Sequence, residues 1–217
     1  MASQADARAR MVDRQIAARG VRDARLLDAM RTVPRERFVS EELADAAYRD
    51  SPLPIGEGQT ISQPYIVALM LEAAEIGPRD RVLEVGAGSG YAAAVAGRIA
   101  AHVYAIEWHE ALAQAARARL AALGYDNIEL RGGDGSGGWP EHAPFDAIIV
   151  SAGGPDVPEP LKAQLAIGGR LLIPVGPRLS QTLLKLTRRD RDRFDAQNLG
   201  AVAFVPLVGE KGWAGSG

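Results

Sequence analysis

The strongest constraint on this chain is a change of texture at Arg81. Beyond it, short apolar runs alternate with helical or glycine-rich segments. "RVLEVG", "HVYAIE", "NIELRGGDG", "PFDAIIVSAGG" and "RLLIPVG" read as five strands. Between them, "AGSGYAAAVAGRIA" predicts a glycine turn and a small-residue helix, and "HEALAQAARARLAALG" predicts a helix stopped by Gly124. "PEPLKAQLAIGG" predicts a helix over 158–169, entered through prolines. Such alternation builds a parallel α/β sheet covered on both faces. "QTLLKLTRR" and "LGAVAFVPLVG" follow with no helix-length segment between them. They predict two further strands in an antiparallel hairpin at one edge.

Upstream, the pattern is helical. Met11, Ile16, Leu26, Leu27 and Met30 are spaced for one apolar face, interrupted at Gly20 and before Pro34. A short acidic helix is expected near Glu41–Ala47, then a loop, then a helix from about Pro64 to Ala74. With 217 residues the chain fits one domain: helices and a loop over 1–78, and an α/β core over 79–217.

Composition narrows the functions. The formal net charge is −2 and the arginines are scattered, so neither nucleic acid nor an anionic membrane is an expected partner. There is no cysteine, which removes disulfides, thiolate nucleophiles and cysteine-held metals. His102, His109 and His142 lack ligand spacing, so no metal is expected. The N-terminal "MASQADARARMVDRQ" carries charges where a signal peptide needs an apolar core, and no apolar run approaches the ~20 residues of a membrane span. These features predict a cytoplasmic protein, and nothing in the sequence demands more than a monomer.

The turn "LEVGAGSG" places Gly86, Ala87, Gly88 and Gly90 where the first core strand becomes a helix, letting backbone approach a ligand closely. A dinucleotide fold wants GxGxxG, but the third position here is Tyr91, leaving GxGxG. Glu107 ends the second core strand, 21 residues after Gly86, where a carboxylate accepts from ribose hydroxyls. Asp134, in "GGDGSGG" with Gly135, ends the third, placed to accept from an adenine amino group. Singly, each has a bland reading: a turn glycine, a solvated strand end, an Asp-Gly turn. In order at successive strand ends they point to an adenosyl ligand, and GxGxG favours S-adenosylmethionine. Glu84 is unusual inside a buried strand. It either holds the glycine loop through backbone N–H groups or reaches the cofactor's amino end through water.

The loop "SPLPIGEGQTISQPY", Ser51 to Tyr65, holds no lysine, arginine or histidine. With "RVLEVGAGSGY", "GDG", "PFDAIIVSA", "GGRLLIPVG" and "FVPLV", it resembles the protein-L-isoaspartate O-methyltransferases in order over nearly the whole chain, and "GQTISQP" is the specific part. The resemblance implies a seven-stranded, Rossmann-like methyltransferase fold with an N-terminal helical extension. It implies S-adenosylmethionine-dependent esterification of the free α-carboxyl of L-isoaspartyl residues in damaged proteins, the first step of repair through succinimide. It assigns Ser62 as the active-site residue and Gln59, Thr60 and Ile61 as cofactor or substrate lining. Glu107, Asp134 and Gly135 match its ribose and adenine contacts.

That chemistry explains a loop without a base. The nucleophile is a carboxylate of pKa about 3.3–3.9, already ionised at neutral pH. By spacing alone, Ser62 reads as a helix cap ahead of a catalyst, with Pro64 at the first turn. Val208 stands where many family members carry a polar residue, which leaves it outside the expected site. Three rivals stand beside this reading: a methyltransferase for another acceptor, an S-adenosylmethionine-binding module without turnover, and an NAD-linked oxidoreductase disfavoured by Tyr91.

Overall fold

The computed structural model describes residues 3–178 and 180–213. The chain opens with α1 (Gln4–Met11), whose Ser3 and Asp6 form a reciprocal capping box. A π turn over Val12–Ile16 and a 3₁₀ turn over Ala17–Arg19 follow. Asp23 caps α2 (Ala24–Thr32) by accepting from the N–H groups of Arg25 and Leu26. Met11, Ile16, Leu26 and Met30 are buried as the spacing predicts, whereas Leu27 is only partly covered. The expected acidic helix is a 3₁₀ helix, Glu41–Ala46.

The proline-rich loop is a small antiparallel hairpin, β1 (Leu53–Gly56) and β2 (Gln59–Ile61). Its tip, Gly56-Glu57-Gly58, has positive φ at all three residues. It leads into α3 (Pro64–Ala73) with Pro64 in the first turn, where a missing N–H costs nothing. Gln63, not Ser62, is the N-cap, and no side chain caps the helix.

The core follows as β3 (Arg81–Val85), α4 (Tyr91–Gly97), β4 (His102–Glu107), α5 (Glu110–Ala122), β5 (Ile128–Gly132), β6 (Phe145–Val150), α6 (Glu159–Ala163), β7 (Leu165–Val175), β8 (Gln181–Arg188) and β9 (Phe194–Val202). The seven strands β3 to β9 form one sheet in the order β5-β4-β3-β6-β7-β8-β9. Strands β3 to β7 pair in parallel; β7-β8 and β8-β9 are antiparallel. The sheet is covered on both faces. One face packs Val82, Val103 and Ile149 against α2, α3, α4 and α5; the other packs Leu83, Val85, Ile106 and Ile148 against Trp139, Leu161 and Leu207.

Two boundaries differ from expectation. The helix over 158–169 is confined to α6, and Leu165–Gly169 joins β7 instead. Leu165 pairs with Phe145 and is buried, and Gly168 at φ +82 cannot continue a helix. The final strand, expected over 199–209, is β9, ending at Val202. A tight turn returns the chain at once, with Arg189 N–H donating to Arg193 O, so pairing starts at Phe194. The 203–209 stretch leaves the sheet and crosses to the strand ends, where Leu207 N–H donates to Gly153 O (2.8 Å) and Gly153 N–H to Val205 O (2.8 Å).

Candidate active site

The sheet reverses direction at β3: the chain builds β4 and β5 to one side, then crosses back to β6 on the other. At such a switch point the loops leaving neighbouring strands diverge and open a crevice at the carboxyl ends. The glycine loop occupies that place. Gly86, Gly88 and Gly90 have φ of +83, +53 and +86, which side chains rarely adopt. Gly86 and Ala87 donate to Ile106 O, stitching the loop to β4.

Glu107 holds the loop's apex. Its carboxylate accepts from Gly88 N–H (2.7 Å) through one oxygen and from His109 N–H (2.9 Å) through the other. It is 4% exposed and faces the crevice beside Gly86, Gly88 and Gly135. The loop-holding role considered for Glu84 is thus filled by Glu107. Glu84 is 3% exposed, accepts from the Ser151 hydroxyl at 3.3 Å through Oε1, and leaves Oε2 without a partner among the described residues. Burial pushes its pKa up to about 8, against the opposing hydrogen bond from Ser151 and helped by the nearby Glu107 charge.

Asp134 is differently engaged. Its Oδ1 accepts from the N–H and hydroxyl of Ser136, and its Oδ2 from Glu210 N–H (2.8 Å). Burial alone would raise its pKa, but these donors outweigh it and hold the carboxyl below its ordinary value. The C-terminal turn therefore lies against Asp134, and Trp213 anchors it by donating from Nε1 to Gly153 O (3.0 Å). Of the terminal "GWAGSG", whose role the sequence leaves open between a free tail and a closure, residues 214–217 lie outside the described residues. Gly135 faces the crevice where nothing larger fits, since a Cβ there would stand 2.6 Å from Val85 Cγ1.

Three chambers meet here. The first is lined by Glu107, Trp108, Gly135, Gln59 and Val208 among others. The second holds Ser62, Ile61, Glu84, Gly86, Ala87 and Tyr91. The third is an outer groove between Pro52, Gln63, Ile66 and the 201–206 stretch. Thr60 and Ser151 line all three. Ser62 lines the inner chamber and the outer groove, and its carbonyl is gripped by the Arg35 guanidinium at 2.8 Å.

Every expected site residue except Asp134 and Gly90 therefore lines this cleft, Gly90 turning the backbone behind it. Sequence reasoning missed Ser151 and Trp108, while the wall from Val205 to Val208 belongs to the "FVPLV" stretch that the resemblance includes. Ser151 and Trp108 were findable, since each directly follows a core strand. Val208, set aside for its apolar character, stands on the wall.

The donor set fits a ligand with an adenosyl and a cationic end. Glu107 presents a carboxylate at one end of the cleft, and the orphaned Glu84 oxygen waits in the chamber at the other. Comparisons with known proteins agree. The model of the Protein-L-isoaspartate(D-aspartate) O-methyltransferase (PCMT) family matches residues 6–212. The protein-L-isoaspartate O-methyltransferase of Methylorubrum extorquens (strain PA1) is 66% identical over 205 residues, covering 94% of this chain and 90% of that protein. That of Protochlamydia amoebophila (strain UWE25) is 57% identical over 204 residues, covering 94% and 97%. A solved protein-L-isoaspartate O-methyltransferase superposes with a TM-score of 0.87 at 30% identity, over 94% of this chain and 67% of the other. A Plasmodium falciparum structure, described as a β-aspartate methyltransferase in complex with S-adenosyl-L-homocysteine, gives 0.81 at 26% identity, over 93% and 98%. The chain belongs to the protein-L-isoaspartate O-methyltransferase family.

Proposed function

We propose that this cleft performs its family's reaction with the cofactor along Glu107 and Glu84 and the substrate entering by the outer groove. The enzyme is an S-adenosylmethionine-dependent methyltransferase that esterifies the free α-carboxyl of L-isoaspartyl residues and so starts their repair. The observation that carries the site reading is the shared position of Thr60 and Ser62. The Thr-Ile-Ser segment lies where the cofactor chambers open into the outer groove.

Glu107 would hold the ribose, Gly86, Ala87, Gly88, Gly135 and Trp108 would enclose the adenosyl group, and Glu84 would face the cationic methionyl end. When bound, S-adenosylmethionine supplies an electrophilic methyl on sulfonium. The residues themselves bind, orient and exclude water. No general base is needed, because the acceptor carboxylate is ionised at neutral pH. Alignment of this kind contributes up to about 7–11 kcal/mol. Arg35 does not touch that carboxylate; it fixes the Ser62 carbonyl from behind, leaving the substrate's nucleophilicity undimmed. The reading includes a monomer working on damaged cytoplasmic proteins; light scattering at assay concentration tests the first point.

The direct experiment is methyl transfer from radiolabelled S-adenosylmethionine to paired peptides that differ only in isoaspartate or aspartate. Base-labile label should appear on the isoaspartyl peptide alone, and equal labelling of both would sink the selectivity. Ser62→Ala should leave S-adenosylhomocysteine affinity within twofold while turnover falls roughly 10- to 100-fold, the size of one lost hydrogen bond to a charged group. Unchanged turnover would reduce Ser62 to a loop residue. Trp108, 46% exposed on the rim of the first chamber, should report binding. S-adenosylhomocysteine should change tryptophan fluorescence in the wild type and barely in Trp108→Phe. An equal change in both would place the adenosyl group elsewhere.

A further inference from the structure

The outer groove is nearly free of charge. Among the described residues its lining is apolar or neutral except for one, Arg178, and none of those lining residues is a carboxylate. An isolated arginine on a loop would mean little, but this one is held in place from two sides. Gln181, 2% exposed, donates from Nε2 to the carbonyls of Pro177 (3.0 Å) and Arg178 (2.9 Å). Its Oε1 accepts from Phe204 N–H at 2.9 Å, so one buried amide ties the turn bearing Arg178 to the opposite groove wall. The Arg178 guanidinium lies 5.2 Å over the Trp213 ring, itself anchored to Gly153 O. A cation held over an aromatic face beside an apolar channel keeps its charge and loses some of its freedom.

We propose, resting on the reading of this groove as the substrate channel, that Arg178 is a specificity-determining residue favouring isoaspartyl substrates with a second carboxylate near the damaged residue. The alternative target is the reacting α-carboxylate itself. Position argues against that. Arg178 is absent from the inner chamber that holds Ser62, Glu84 and the glycine loop, and lines only the outer groove. A clamp on the nucleophile would also draw electron density from the oxygen that must attack. A flanking Asp or Glu, by contrast, gains a charge-assisted partner without touching the chemistry. A flanking Lys or Arg meets like charge.

The test compares kcat/KM for isoaspartyl peptides carrying Glu, Gln or Lys at each position within three residues of the isoaspartate. At low salt the wild type should prefer Glu over Gln about two- to fivefold at one or two positions, the range of partly exposed ion pairs. Lys should be disfavoured at the same positions, and both effects should shrink in high salt. In R178Q the Glu-to-Gln ratio should fall to about one, and in R178E the order should invert. Equal ratios in wild type and R178Q would overturn the proposal. So would a collapse of kcat in R178Q on every peptide alike, which would mean contact with the reacting carboxylate. If the wild type methylates no isoaspartyl peptide, the substrate-channel reading itself fails, and Arg178's role with it; activity without selectivity condemns only Arg178.

Discussion

Glu107→Ala should weaken S-adenosylhomocysteine binding by roughly 100-fold, close to 3 kcal/mol, when measured by titration calorimetry. The magnitude comes from two losses at one residue. The ribose loses its carboxylate acceptor, a charge-assisted interaction of about 1.5–3 kcal/mol. The protein loses the bonds from Gly88 N–H and His109 N–H, so the glycine loop and the start of α5 are no longer held in binding geometry. Glu107→Gln keeps one acceptor oxygen and should fall between, about tenfold weaker. The fold should survive both changes, because Glu107 ends its strand facing the crevice and is not part of either apolar core cluster. An alanine variant binding within threefold of wild type would remove Glu107 from the ribose contact.

That double duty marks the limit of what the sequence conveys. The alternation of strands and helices is legible because burial on both faces leaves continuous apolar runs. The residues ending those runs, Gly86, Glu107 and Gly135, are legible because a parallel sheet gathers its strand ends at one edge. Ser62 is legible only as a family residue; locally its pattern reads as a helix cap, and the structure passes that position to Gln63. Contacts across long separations are not legible. Arg35, in an arginine-rich chain, looks like one more surface cation. Yet it is fully buried, donating to Ala47 O (2.7 Å) and Ser62 O and lying 4.8 Å over the Tyr91 ring. Nor does local pattern foretell that 203–209 abandons the sheet: β-rich residues there read as strand, while the short turn before Phe194 and the bonds to Gly153 decide otherwise.

Glu84 gives the second large effect, and it appears in pH dependence. In the unfolded chain this carboxyl ionises near its ordinary value of 4.5, whereas in the fold burial keeps it protonated up to about 8. Between those values the folded state binds more protons than the unfolded state, so stability must fall as pH rises. The contribution is fully present below about 4.5 and gone once the pH passes about 8. Its slope is at most about 1.4 kcal/mol per pH unit, on the order of 5 kcal/mol in total. Glu84→Gln keeps a neutral hydrogen-bonding group at every pH and should remove this component. Denaturant unfolding should therefore show the variant gaining on the wild type steadily from pH 5 to pH 8. The same proton reports on binding. A cationic ligand end beside the orphaned Oε2 favours the carboxylate, so S-adenosylhomocysteine should expel a proton from the wild type at pH 7. Calorimetric binding heats should then vary with the buffer's ionisation enthalpy for the wild type and much less for Glu84→Gln. Parallel stability curves with identical buffer dependence would mean that Glu84 is already ionised in the fold, and that its free oxygen has found a partner other than the cofactor.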